Sequence, residues 1–114
     1  MAIRTELSLR LPNTPGALSQ VCDALVGARV NLVGLHLEGS GRLRILVDNP
    51  LSGAGALRER EYQVDEREVL YAVVPNAPGA LAGMARLVAD GGVNIDYAYA
   101  TALEGGAMSA IVLG

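Results

Sequence analysis

The chain has no phenylalanine, no tryptophan, one cysteine and one histidine. A single cysteine excludes an internal disulfide, and one cysteine with one histidine leaves no zinc site built from those residue types. Charge of one sign is also scarce: nine Lys and Arg against twelve Asp and Glu give a net charge of −3. An acidic balance with four tyrosines as its only aromatics argues against nucleic acid as a partner. No apolar run approaches the ~20 residues that span a bilayer, so no membrane partner is expected. The opening MAIRTELSLR lacks a charged-then-apolar export pattern. A cytoplasmic protein is therefore expected. What is present is 114 residues, 51% of them hydrophobic. That is too apolar for a disordered tail, and enough for one compact domain or two very small ones. A chain of this size can build a core without covalent staples.

The chain repeats itself. Pro12-Asn13-Thr14-Pro15-Gly16-Ala17-Leu18 recurs as Pro75-Asn76-Ala77-Pro78-Gly79-Ala80-Leu81, at an offset of 63. At the same offset Val30-Asn31-Leu32 recurs as Val93-Asn94-Ile95. Two motifs sharing one offset imply two copies of one unit. The first is expected over residues 1–65 and the second over 66–114.

Each copy carries the same pattern. Ile3, Thr5, Leu7, Leu9 and Leu11 alternate with Arg4, Glu6, Ser8 and Arg10. This period of two marks a half-buried strand with a water-facing side. Pro15 suits a first helical turn, with Asn13 or Thr14 as cap. Leu18, Val21, Cys22 and Leu25 then form one helical stripe that ends at Gly27. Residues 30–38 and 42–47 read as a hairpin across Gly39-Ser40-Gly41. Asn49-Pro50 opens a helix through Arg60, and Tyr62 to Asp65 reads as a fourth strand. In the second copy, Val69 to Val74 is a strand and Leu81, Met84, Ala85 and Val88 are a helix stripe. Residues 93–103 and 107–113 form the matching hairpin, with no second helix after it. Residues 62–74 contain no turn signal and are expected to form one long strand.

The expected fold class is α+β: a ferredoxin-like βαββαβ two-layer sandwich in two repeats, the second truncated to βαββ. On the sheet face away from the helices, the first copy presents Arg4, Glu6, Ser8 and Arg10, which suits water. The second presents Val69, Tyr71 and Val73. If the second strand has a bulge after Asn94, Tyr97 and Tyr99 join that face, whereas a regular strand would turn those tyrosines toward the helix. The bulge is the favoured reading because it also sends Leu35 and Leu37 inward in the first copy. An apolar outer face is a candidate contact surface, so a homodimer, or at least tight packing between the copies, is expected.

The Asn-x-Pro-Gly loop joins a strand to a helix. Glycine lets a ligand approach the backbone, and the helix start offers free N–H groups with partial positive charge. Such a place suits a small anion such as a carboxylate. The loop has no lysine and too few glycines for a phosphate loop. Both repeated asparagines also fit plain turn and cap roles, since a repeated fold carries its turns with it.

Asn-x-Pro-Gly-Ala-Leu, a helix of about a dozen residues and then Gly-Val-Asn-Ile resembles the ACT domain, a regulatory amino-acid-binding module of amino-acid metabolism. The resemblance covers nearly the whole chain, as a tandem ACT domain protein. It implies that amino acids bind where two units meet. It also implies ligand contacts from Asn13 and Asn31, and from Asn76 and Asn94. The loop backbone that lies against the ligand corresponds to Thr14, Gly16 and Ala17, and to Ala77, Gly79 and Ala80. Some serine-binding members carry a histidine two residues before the loop asparagine; Leu11 and Val74 stand there. The incomplete second copy is a further departure.

Other residues fit structural roles. Cys22 reads as a small core residue. His36 aligns with Tyr99 and reads as a surface histidine. The mixed charges from Arg58 to Glu68 read as a solvated surface. No paired carboxylates, nucleophile elbow or metal-ligand cluster stands out, so no enzyme, metal or cofactor is expected. The expected function is a regulatory module that binds a small amino acid and controls a partner enzyme or transport process. The alternative is an interaction scaffold without a small-molecule ligand.

Overall fold

The computed structural model describes residues 1–102 and 104–114. The chain forms β1 (Ala2–Arg10), α1 (Ala17–Gly27), β2 (Leu32–Leu37), β3 (Arg42–Val47), α2 (Pro50–Glu59), β4 (Asp65–Pro75), α3 (Ala80–Asp90), β5 (Ala98–Ala102) and β6 (Met108–Leu113). The α+β class and the element order follow the sequence pattern. The expected strand over 93–103 begins later, at Ala98, and Leu103 lies outside the described residues. The turn-free stretch does form one long strand, β4, although it starts at Asp65 rather than Tyr62.

Two compact units divide these elements. One is Thr5–Arg67; the other joins Met1–Arg4 to Glu68–Gly114. In the unit Thr5–Arg67 the strands stand in the order β2-β3-β1, with the start of β4 beyond β1. Register pairs Leu7 with Ile45 and Leu9 with Leu43. Those side chains share one face with Leu25 of α1 and Leu57 of α2, and all are fully buried. Asn49 starts α2 by accepting the Ser52 N–H at 3.1 Å, with Pro50 in the first turn, as its sequence predicts.

The other unit keeps the order β5-β6-β4. Its core is smaller: Ala72, Met84, Val88, Ile111 and Leu113, flanked by Leu70, Val74 and Ile95. Beside β4, where a fourth strand belongs, stand the chain's own first residues up to Arg4. The Arg4 guanidinium lies 4.9 Å from the centre of the Tyr71 ring, a cation–π contact that fastens this segment. Leu81 of the expected helix stripe is exposed, while Met84 and Val88 are buried. Cys22 is half-buried rather than part of the fully buried core.

The sheet faces depart from expectation at one residue above all. Glu6 is 1% exposed, not water-facing. Its carboxylate lies 3.8 Å from Nε of Arg44, and a buried carboxylate needs such a partner. Tyr99 falls on the outer face, though not through a bulge after Asn94. A register shift between Leu32 and Gly34 interrupts β2, and residues 93–97 form no regular strand before β5. Tyr99 stands opposite Val112, which stands opposite Tyr71, so all three share one face. Leu35 and Leu37 pair with Ile45 and Leu43 and so face the helices, but each stays 42% exposed because β2 is the last strand in the order.

The hairpin turn sets a sharp steric test. The N–H of Gly41 donates to the Glu38 carbonyl at 2.9 Å and the Glu38 N–H to the Arg42 carbonyl at 3.0 Å. This is the three-residue hairpin loop whose last residue takes a positive φ, here +95°. A Cβ on Gly41 would stand 2.6 Å from the Leu11 carbonyl oxygen. Gly41→Ala is expected to lower the unfolding free energy by about 1–3 kcal/mol in urea titration. Gly55 lies in α2 with open space around it, so Gly55→Ala is expected to raise that free energy by about 0.5–1 kcal/mol.

Candidate functional site

The repeated loop is a pair of tight turns. After Leu11 the chain makes a three-residue turn, with the Thr14 N–H donating to the Pro12 carbonyl at 2.9 Å. Next, Thr14-Pro15-Gly16-Ala17 closes with the Ala17 N–H donating to the Thr14 carbonyl at 3.3 Å. Gly16 has φ +84° and ψ −5°. That is a type II turn: proline supplies the second position's φ and glycine the third position's positive φ. Pro75 to Ala80 repeats both turns, with hydrogen bonds of 3.0 and 3.3 Å and Gly79 at φ +88°.

This geometry corrects the capping expectation. Gly16 and Gly79 are the N-caps, and neither helix has a side-chain cap or an acidic residue in its first turn. Pro15 shapes the turn before the helix rather than its first turn. The first helical hydrogen bond of α1 runs from the Gln20 N–H to the Gly16 carbonyl at 3.0 Å. The N–H groups of Leu18 and Ser19 therefore lack an intrahelical acceptor.

A cavity of about 430 Å³ opens at this helix start. Asn13, Thr14, Gly16 and Ala17 line it from the loop, and Glu38 and Gly41 from the hairpin. The Leu11 N–H, donating to the Gly41 carbonyl at 2.8 Å, holds loop and hairpin together. Glu38 is ion-paired with Nη1 of Arg44, and its other oxygen accepts from the Ser40 hydroxyl at 3.3 Å. Arg10 steadies the turn by donating to the Ser40 carbonyl at 3.0 Å.

The unit containing β4 has a counterpart of about 360 Å³, lined by Asn76, Ala77 and Ala80 and, from β5, Ala100 and Thr101. Gly79 forms the turn behind it. Asn76 donates its side-chain N–H to the Gly106 carbonyl at 3.0 Å, and its backbone N–H bonds the Ala107 carbonyl at 3.0 Å.

The second pair of asparagines is elsewhere. Helix α1 has 11 residues, so it carries the chain ~16 Å from the cavity before β2 returns. Asn31 lies at that far end, where its N–H donates to Asp48 Oδ1 at 3.0 Å and its carbonyl accepts the Asp48 N–H at 3.0 Å. Asn94 donates its side-chain N–H to Asp96 Oδ1 at 3.1 Å. Within their own units, neither Asn31 nor Asn94 reaches the cavity that Asn13 or Asn76 lines. Sequence reasoning missed Glu38 and Thr101. The signal was there: Glu38 and Thr101 share the loop's offset of 63.

No family model and no curated protein matches the chain. Among solved structures, protein BT0572 from Bacteroides thetaiotaomicron is 30% identical, with 98% of this chain and 78% of that one covered and a TM-score of 0.89. At that identity over nearly the whole length, the chain and BT0572 belong to one family. Regulatory subunits of aspartate kinase share the architecture. The one from Thermus flavus has a TM-score of 0.71 at 16% identity, covering 98% of this chain and 85% of its own. The ligand-free one from Thermus thermophilus has a TM-score of 0.71 at 20% identity, covering 98% and 84%. The fold is ACT-like. Within the ACT-like architecture the Asn-x-Pro-Gly loops are the tight turns that open α1 and α3.

Among the described residues, no group of three or more His, Cys, Asp or Glu is placed to hold a metal, and no helix is long and apolar enough to cross a membrane. The ACT-like turn makes its own test. Nothing lies within 4 Å of a Cβ at Gly16, so only the backbone conformation resists substitution. Gly16→Ala is expected to cost about 1–2 kcal/mol in denaturant titration. Gly16→Asn is expected to cost less, because asparagine tolerates the left-handed region.

Proposed function

We propose that this chain is a tandem ACT-like regulatory module that binds a small amino acid and controls a partner enzyme of amino-acid metabolism in the cytoplasm. The observation that carries the reading is the cavity at the start of α1, where unpaired helix N–H groups, Asn13 and a carboxylate meet. Its volume, about 430 Å³, lies in the range of small-molecule sites, about 300–1,000 Å³. The N–H groups suit the ligand carboxylate. The Asn13 side chain offers both a donor and an acceptor. Hydrogen bonds to charged groups contribute ~1.5–3 kcal/mol each, which after ordering costs gives affinities of roughly micromolar to millimolar. That range suits a sensor whose ligand must leave when its level falls.

The ACT-like fold shared with regulatory subunits of aspartate kinase supports a regulatory role. A homodimer belongs to the same reading, because Val73, 51% exposed, stands on the sheet face away from the helices and offers apolar surface to a second copy. The outer face supports the scaffold alternative only in part: Val73 is 51% exposed, but Val69 is 3% exposed and Arg4 lies over the Tyr71 ring.

The test is a thermal melt of the purified chain against each common amino acid at about 10 mM. A ligand at a hundred times its Kd adds ~2.7 kcal/mol, which for a domain this small raises Tm by several degrees. A selective rise is the expected result, and Asn13→Ala should weaken that ligand about fivefold to tenfold by calorimetry without moving the ligand-free Tm. A panel with no shift, checked by calorimetry, rejects the amino-acid reading.

A further inference from the structure

The two cavities differ in one chemical respect. Glu38 lines the first, and at the same offset Thr101 lines the second. Among the described lining residues, Glu38 is the one charged side chain in the first cavity, and the second has none. Glu38 is also fixed in place. Arg44 holds one of its oxygens and the Ser40 hydroxyl reaches the other, yet its side chain keeps 39% of its exposure. An ionised carboxylate has about four acceptor positions, so a third donor can approach from the cavity. Arg44 does not spend its charge on Glu38 alone, because Nε also lies 3.8 Å from the buried Glu6. Glu38 thus presents a held, part-exposed carboxylate at the cavity.

A free α-amino acid carries a carboxylate and an ammonium a few ångströms apart. An electropositive helix start satisfies only the first group. We infer that Glu38 is the acceptor for the ligand's ammonium, so that the cavity at α1 takes the zwitterion and its counterpart at α3 does not. The inference rests on the amino-acid reading above. It adds the stoichiometry, one ligand per chain, and the residue that separates amino acids from carboxylic acids lacking an amine. Thr101 offers a hydroxyl in the place of Glu38, and a neutral hydroxyl does not offset an ammonium's loss of water as a carboxylate does.

The experiment is calorimetry on the full chain with each amino acid that shifts the melt, beside the 2-hydroxy acid of the same side chain. The hydroxy acid keeps the carboxylate and replaces only the ammonium. Wild type is expected to bind one amino acid per chain and to prefer it over the hydroxy acid by about tenfold or more. Glu38→Gln should lose that preference by weakening the amino acid and leaving the hydroxy acid nearly unchanged. Glu38→Asp, which keeps the charge, should retain part of the preference. Two sites per chain, or a preference that survives in Glu38→Gln, overturns the inference while leaving the amino-acid reading intact. Equal binding of both ligands by wild type also overturns it, and needs no variant to fold. A wild type that binds no amino acid overturns both.

Discussion

The positive φ of Gly16 and Gly79 governs how each strand passes into its helix, and the candidate site depends on that passage. A β-strand cannot enter an α-helix directly when the helix must fold back over the sheet. Proline followed by a left-handed glycine makes the change of direction in four residues. The consequence reaches beyond geometry. With glycine at the N-cap, no side chain occupies the helix start, so its N–H groups stay open to a ligand. A serine or aspartate cap would steady the helix and close the place where an anion fits. Local stability is forgone at the position where binding is proposed, as expected of functional loops.

The hairpin completes the site. Leu11 and Gly41 join by one backbone hydrogen bond, which brings Glu38 to the cavity rim. Behind it, Arg44 and the buried Glu6 make a charged cluster on the outer sheet face. A buried carboxylate is tolerated only when its partner is close and held, and Arg44 is held from two sides. The cluster therefore ties the cavity wall to the sheet.

Much of the fold was legible in the sequence because it rests on periodicity. Alternation fixed the faces of β1, and the turn chemistry of Pro15-Gly16 and Asn49-Pro50 marked the helix starts. Alternation in β4 also put Tyr71 on the outer face, where Tyr99 joins it. The exceptions have causes that spacing does not encode. Glu6 occupies a polar slot in the alternation, and nothing in β1 reveals that Arg44 from β3 will meet it. Glu38 reads as an ordinary residue before a hairpin turn, and its place opposite the loop is a matter of tertiary contact. Asn13 and Asn31 sit in neighbouring motifs, yet α1 puts them at opposite ends of one unit. Leu35 and Leu37 face the core side as their pattern says, but an edge strand has no neighbour to cover them.

The functional reading stands or falls with a small amino acid at the start of α1, its carboxylate on the helix N–H groups and its ammonium toward the hairpin. The most direct measurement is amide chemical-shift mapping on the isotopically labelled chain during titration with the amino acid it binds. The largest, saturable shifts are expected at the Leu18, Ser19 and Gly41 amides, with the amides of Ala80 to Ala82 nearly unmoved. Shifts centred on the outer sheet face, or equal shifts at both helix starts, would contradict it.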